Sequence, residues 1–113
     1  MAARNNLLQA PPYAVEQALR KVGRNLRVAR VRRKQTIEEV AMRIGTGVRA
    51  VRDAESGKAS TSVGVYAALL WAYGLLDPLD QLADPLKDKE GVALAAAQEN
   101  KRARKSSDLD NEF

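Results

Sequence analysis

Gln35-Thr36-Ile37-Glu38-Glu39-Val40-Ala41-Met42-Arg43-Ile44-Gly45, continued by Thr46-Gly47-Val48-Arg49-Ala50-Val51-Arg52-Asp53-Ala54-Glu55-Ser56-Gly57, is the stretch that decides the fold. Thr36 stands three residues before Glu39, the spacing at which a threonine and a glutamate satisfy each other's free amides at a helix start. Ile37, Val40, Ala41 and Ile44 then fall on one face at i, i+3, i+4 and i+7. Gly45 stops that helix after two turns, as a glycine at a C-terminal cap does. A further short helix is expected from about Gly47 to Ser56, burying Val51 and Ala54 and ending at Gly57. Two short helices joined by a glycine-containing turn form a unit that places its second helix in the major groove of DNA.

Upstream, Pro11 and Pro12 suit a first helical turn. Val15, Leu19, Val22, Leu26 and Ala29 then recur at spacings of three and four, which predicts a first helix, weakened at its middle by Gly23. Downstream, Ser60, Thr61 and Ser62 offer alternative N-caps for a fourth helix from about Val63 to Tyr73, with Gly74 at its end. Its core face is read as Val63, Tyr66, Leu70 and Tyr73. Asp77-Pro78 opens a short fifth helix through about Ala83. The organisation expected is an N-terminal arm over 1–13, a helical domain over 14–84, and a flexible, partly helical tail over 85–113.

The 113 residues carry a net charge of +5, and the excess is unevenly placed. Residues 1–83 hold 13 Lys or Arg against 7 Asp or Glu, whereas residues 84–113 hold 6 against 7. Between Arg20 and Lys34 lie eight basic residues and no acidic one. A one-signed field of that kind favours a polyanion, nucleic acid first; the plainer reading is a solvated helix face. With no cysteine and no histidine, disulfides and thiolate metal sites are excluded, and the usual general base and commonest metal ligand are missing. No stretch approaches the roughly 20 apolar residues of a membrane span, and Leu7 and Leu8 are too short a kernel for a signal peptide. The expectation is a cytoplasmic protein with no cofactor.

The run Gln35–Gly45, then Val51, Glu55, Gly57 and Lys58, resembles the Cro/C1-type (XRE) helix-turn-helix domain, and Val63–Leu75 fits that family's fourth helix. The resemblance covers about residues 20–84. It implies an all-α, five-helix, lambda-repressor-like domain that reads double-stranded operator DNA. The basic first helix, the tail and its ending Leu109-Asp110-Asn111-Glu112-Phe113 are similar, more narrowly, to HipB-type antitoxins, which are encoded beside a HipA-type kinase toxin.

Carried over residue by residue, the resemblance implies that Val48 and Arg49, with Arg52 and Asp53 one turn on, face base edges. Arginine binds guanine O6 and N7 in a bidentate way, and Val48 suits a thymine methyl. The family more often has glutamine at that position, and Gly47 replaces its usual serine or threonine cap. Asp53 is open to two roles: restraining Arg49 or Arg52, or accepting from a cytosine amine. Phosphate contacts are implied for Thr36, Ile37, Arg43, Gly47, Lys58, Ser60 and Thr61, with Thr36 equally fitted to act as a cap alone. Arg30 and Glu55 match a structural ion pair of the family, which removes Glu55 from the candidate catalytic acids.

From Ser60 to Leu76 no residue is charged. The face of the fourth helix away from its expected core bears Gly64, Ala68, Trp71 and Leu75, where a solvated helix shows Lys or Glu. A second copy of the chain is the first candidate to cover it, with Trp71 as anchor; the first helix or the tail of the same chain is the alternative. Four functions remain in order: an operator-binding repressor acting as a dimer; a module whose main task is neutralising a HipA-type kinase toxin; a nonspecific architectural or RNA-binding protein; and, last, an enzyme.

Overall fold

The computed structural model describes residues 6–111. Residues 1–5, where the expected arm begins, and residues 112 and 113 lie outside the described residues, as do the side chains of residues 108–111, so the tail ending is described only as backbone over Leu109–Asn111. Every α-helix is numbered in chain order: α1 (Asn6–Gln9), α2 (Tyr13–Arg32), α3 (Ile37–Ile44), α4 (Val48–Glu55), α5 (Val63–Ala72) and α6 (Lys89–Asn111), with a 3-10 helix at Asp77–Gln81. The protein is all-α; no strand occurs among the described residues. The chain divides into two compact units, Met1–Leu79 and Asp80–Phe113.

The α3 boundaries follow from side-chain chemistry. Glu39 N donates to Thr36 Oγ1 at 3.1 Å, and Thr36 N donates to Glu39 Oε1 at 3.3 Å, so both partners of the capping box are engaged. Gly45 closes the helix in the left-handed region at φ 77°, a conformation that costs a residue with a Cβ about 1–2 kcal/mol. Gly47 and Ser56 flank α4, and Gly47 supplies no side-chain cap. Of the three hydroxyl residues before α5, Ser62 is the cap, accepting from Val65 N at 3.3 Å.

In the first unit α4 is central, packing against α2, α3 and α5. Leu26, Val40, Val51 and Leu69 are fully buried at the meeting point, with Ala29, Ala41, Ala54, Tyr66, Ala72 and Tyr73 around them. Each large aliphatic side chain buried this way contributes about 1.5–3 kcal/mol. Gly23 lies inside this packing. A Cβ on it would stand 2.5 Å from the Glu55 carbonyl oxygen and 2.7 Å from that of Ala54. The glycine that weakens α2 as a helix is what lets the end of α4 approach it.

Several expectations are corrected. Val15 and Val22 are exposed, so α2 reaches the core through Leu19, Gly23, Leu26 and Ala29. Val63 is exposed and Leu70 only partly buried, while Leu69 and Ala72 take the interior positions of α5. The short fifth helix is a 3-10 turn, and an extra turn, α1, precedes the prolines. In the second unit, α6 takes up 23 residues of the tail segment 85–113.

Candidate nucleic-acid interface

The exposed surface of α4 is set by its rotation. Val51 and Ala54 point inward, and the helical repeat then turns Arg49, Arg52 and Ser56 outward together. Neither arginine has an acid partner among the described residues. Val48, also expected at base edges, is half-buried and packs against the core. Asp53 is paired with neither arginine: its carboxylate lies 3.9 Å from Lys58 Nζ.

Arg30 and Glu55 hold the floor beneath this surface. Arg30 Nε donates to Glu55 Oε2 at 2.7 Å and Nη2 donates to Oε1 at 3.1 Å, a two-pronged contact. Arg30 Nη1 donates to the Gln35 carbonyl at 3.0 Å. The side chains are 13% and 8% exposed, so water competes little for them. The Arg30 pKa is raised, chiefly by the hydrogen bond to Glu55, against a smaller lowering by burial. The link joins α2 to the last residue of α4 and, through Gln35, to the entry of α3.

The residues expected at phosphates fall into separate groups. Thr36 and Ile37 open α3; the Thr36 hydroxyl is already occupied as a cap, and Ile37 is half-buried against the core. Arg43 sits about 10 Å further along α3 by helix rise, with its Cζ 5.8 Å from the Trp71 ring centroid. Gly47 is exposed, and a Cβ there would meet nothing within 4 Å. Lys58, Ser60 and Thr61 form the loop before α5. That loop is pinned where Tyr66 Oη donates to the Lys58 carbonyl at 3.1 Å. Burial raises the Tyr66 pKa above its ordinary value.

Two packing contacts had no clear sequence signal, although Gly57 itself was expected to end the second helix of the motif. Arg33 spans from α2 to the end of α5: Nη1 donates to the Ala29 carbonyl and Nη2 to the Tyr73 carbonyl, both at 2.9 Å, while its Cζ lies 5.5 Å from the Tyr73 ring centroid. Gly57, at φ 73°, is buried against α2, where a Cβ would stand 2.6 Å from the Arg20 backbone. Arg33 ties α2 to the end of α5, and Gly57 lets the loop after α4 close onto α2. On α5, Gly64 and Trp71 are exposed and Ala68 is half-buried, while Leu75, expected on the same face, is exposed beyond the end of the helix. Among the described residues no cluster of acidic side chains is arranged to hold a metal ion, and no helix is long and apolar enough to cross a membrane.

Two short helices bound by a capping box and glycine turns, with a basic outer face on the second, define a helix-turn-helix module of the kind that reads DNA. Residues 21–83, more than half of the chain, match the model of the helix-turn-helix domain, and the chain belongs to that family. No curated protein and no solved structure matches the chain. Members of such a family are DNA-binding regulators and typically not enzymes.

Proposed function

We propose that the protein is a sequence-specific transcriptional regulator that lays α4 in the major groove of its operator. The observation that carries this reading is the pair Arg49 and Arg52, exposed on one face of α4 and unpaired among the described residues. Two guanidinium forks free of internal partners suit guanine edges, each worth about 1–3 kcal/mol of discrimination. Val48, half-buried, contributes at most its outer methyl to a thymine. Thr36, Ile37, Arg43, Gly47, Lys58, Ser60 and Thr61, in the two helices of the motif and the loop after them, supply the backbone-phosphate contacts.

The protein acts as a dimer on a palindromic site, joined through Gly64, Ala68, Trp71 and Leu75, and represses its own operon. The support is the uncharged segment from Ser60 to Leu76 and the 57% exposure of Trp71 within it. Its XRE-like motif and acidic, Leu- and Phe-bearing ending further suggest an antitoxin of a toxin–antitoxin operon. A second reading is favoured by the same exposed ring: a HipA-type kinase toxin, rather than a second copy, covers α5.

Fluorescence anisotropy on DNA from just upstream of the reading frame tests the regulator reading. A preference of about a thousandfold over a scrambled duplex at physiological salt, lost in Arg49→Ala/Arg52→Ala, is the expected result. Equal, salt-labile binding to both duplexes by the unaltered protein would refute base readout through α4.

A further inference from the structure

The salt link under α4 leaves charge unequally shared around it. Arg27, Arg30, Ile37, Arg52, Glu55 and Ser56 line one shallow open groove between α2, the start of α3 and α4. Glu55 is the single carboxylate in that lining, and Arg30 engages both of its oxygens. The third Arg30 contact is taken by the Gln35 carbonyl. Acid and base at the floor therefore cancel. Arg27 and Arg52 are exposed, and neither has an acid partner among the described residues. Two unshared positive charges thus border a neutralised floor. An anion seated there at Arg27 also lowers the repulsion between the two guanidiniums, which leaves the Arg52 fork free for a base edge. The planar, fork-like guanidinium matches phosphate oxygens better than a point charge does.

We infer that Arg27, on α2 and outside the two helices of the motif, holds a DNA backbone phosphate in this groove, opposite Arg52. The inference rests on the DNA-binding reading above and extends its footprint to a helix that packs behind α4. Other arginines of α2 are placed differently. Arg24 and Arg32 line a separate groove with Val28 and Val31, which shares only Arg27 with the first. The basic run of α2 is accordingly divided: Arg27 borders the α4 groove, whereas Arg24 and Arg32 do not line it. Phosphate contacts carry no sequence information but set how steeply binding falls with salt.

The experiment measures binding against salt concentration for the unaltered protein, Arg27→Ala, Arg27→Lys and Arg32→Ala, on the upstream duplex and on a scrambled duplex of the same length. Arg27→Ala is expected to lower the slope of log K against log salt by about one, weakening both duplexes by the same factor. Arg27→Lys is expected to keep the slope, and Arg32→Ala to leave it unchanged. Thermal midpoints should stay together, since neither arginine has an acid partner to lose. An Arg27→Ala slope equal to that of the unaltered protein would overturn the inference while leaving DNA binding in place. So would an equal drop in Arg32→Ala, which would mean that only diffuse charge matters. An unaltered protein that binds neither duplex would overturn the DNA-binding reading and this inference with it.

Discussion

The guanidinium of Arg43 lies over the indole of Trp71, with Cζ 5.8 Å from the ring centroid, so the last turn of α3 is tied to the exposed ring of α5. The ring remains 57% exposed despite this cover. A cation over an exposed ring is worth about 0.5–1 kcal/mol, too little to explain why an uncharged helix shows tryptophan to water.

Trp71→Glu is therefore expected to convert the protein to monomers in sedimentation equilibrium, with the helical content of the first unit intact. Arg43→Ala is expected to leave the association state unchanged, since it removes a neighbour of the ring and not the ring. An unaltered sedimentation profile for Trp71→Glu would dismiss this face as the contact between copies.

Removal of the carboxylate in Glu55→Ala strands Arg30 in a position where its side chain is only 13% exposed. The loss expected in urea unfolding is about 3 kcal/mol, at the low end for broken buried pairs. Replacing both partners by aliphatic residues of similar volume should cost far less, because no charge is then left behind. A loss below about 1 kcal/mol in Glu55→Ala would show the pair to be solvated in the manner of a surface link.

Gly23→Ala sets helix propensity against packing. Propensity favours alanine by about 1 kcal/mol, but the new Cβ would stand 2.5 Å from a backbone oxygen of α4. Backbone cannot step aside as a side-chain tip does, and overpacking costs about 1–3 kcal/mol. The net expectation is a lower unfolding midpoint; a raised one would mean that α2 and α4 slide apart at little cost.

Tyr66 and Tyr73 separate two kinds of buried hydroxyl. Tyr66 Oη bonds to the Lys58 carbonyl, whereas Tyr73 Oη is buried with no partner among the described residues. Tyr66→Phe is expected to lose about 1 kcal/mol, and Tyr73→Phe to be neutral or stabilising. Burial is the largest cause raising both pKa values above 10.0. A raised folded-state value means that the folded form keeps its proton where the unfolded form sheds it. The stability from these groups is thus complete below pH 10 and falls as pH climbs beyond it. Tyr73→Phe should flatten part of that alkaline decline, followed by thermal melts between pH 9 and pH 11; an undiminished decline would assign it to other groups.

How legible each part was depended on whether the deciding signal is local. The capping box, Gly45, and the inward Val40, Ala41, Val51 and Ala54 were readable because caps and helical phase lie within a few residues of one another. On α5 the phase was not readable. With apolar side chains all round, nothing marks one face, and spacing points to Val63 and Leu70 where Leu69 and Ala72 are the buried residues. The end of α2 was hidden for another reason: Lys34, not glycine, takes the left-handed position at φ 53°. Gly23, Gly57 and Arg33 act through contacts with distant segments, which single-helix periodicity does not contain. For the interface, Arg49 and Arg52 were legible through the family resemblance and not through spacing, while the half-burial of Val48 and the Lys58 partner of Asp53 needed the packed structure.

The helix α6 has no buried side chain among those described. With no apolar burial among the described side chains to reward its order, the helix rests there on alanine-rich propensity and on the Asp88 carboxylate that accepts from Gly91 N at its start. Such a helix obeys helix–coil statistics in place of an all-or-none transition. On heating, ellipticity should therefore drain away gradually from this segment well before the packed helices give way together. The melting record of the whole chain would then be a slope followed by a step, and a two-state fit to it would misjudge the enthalpy of both.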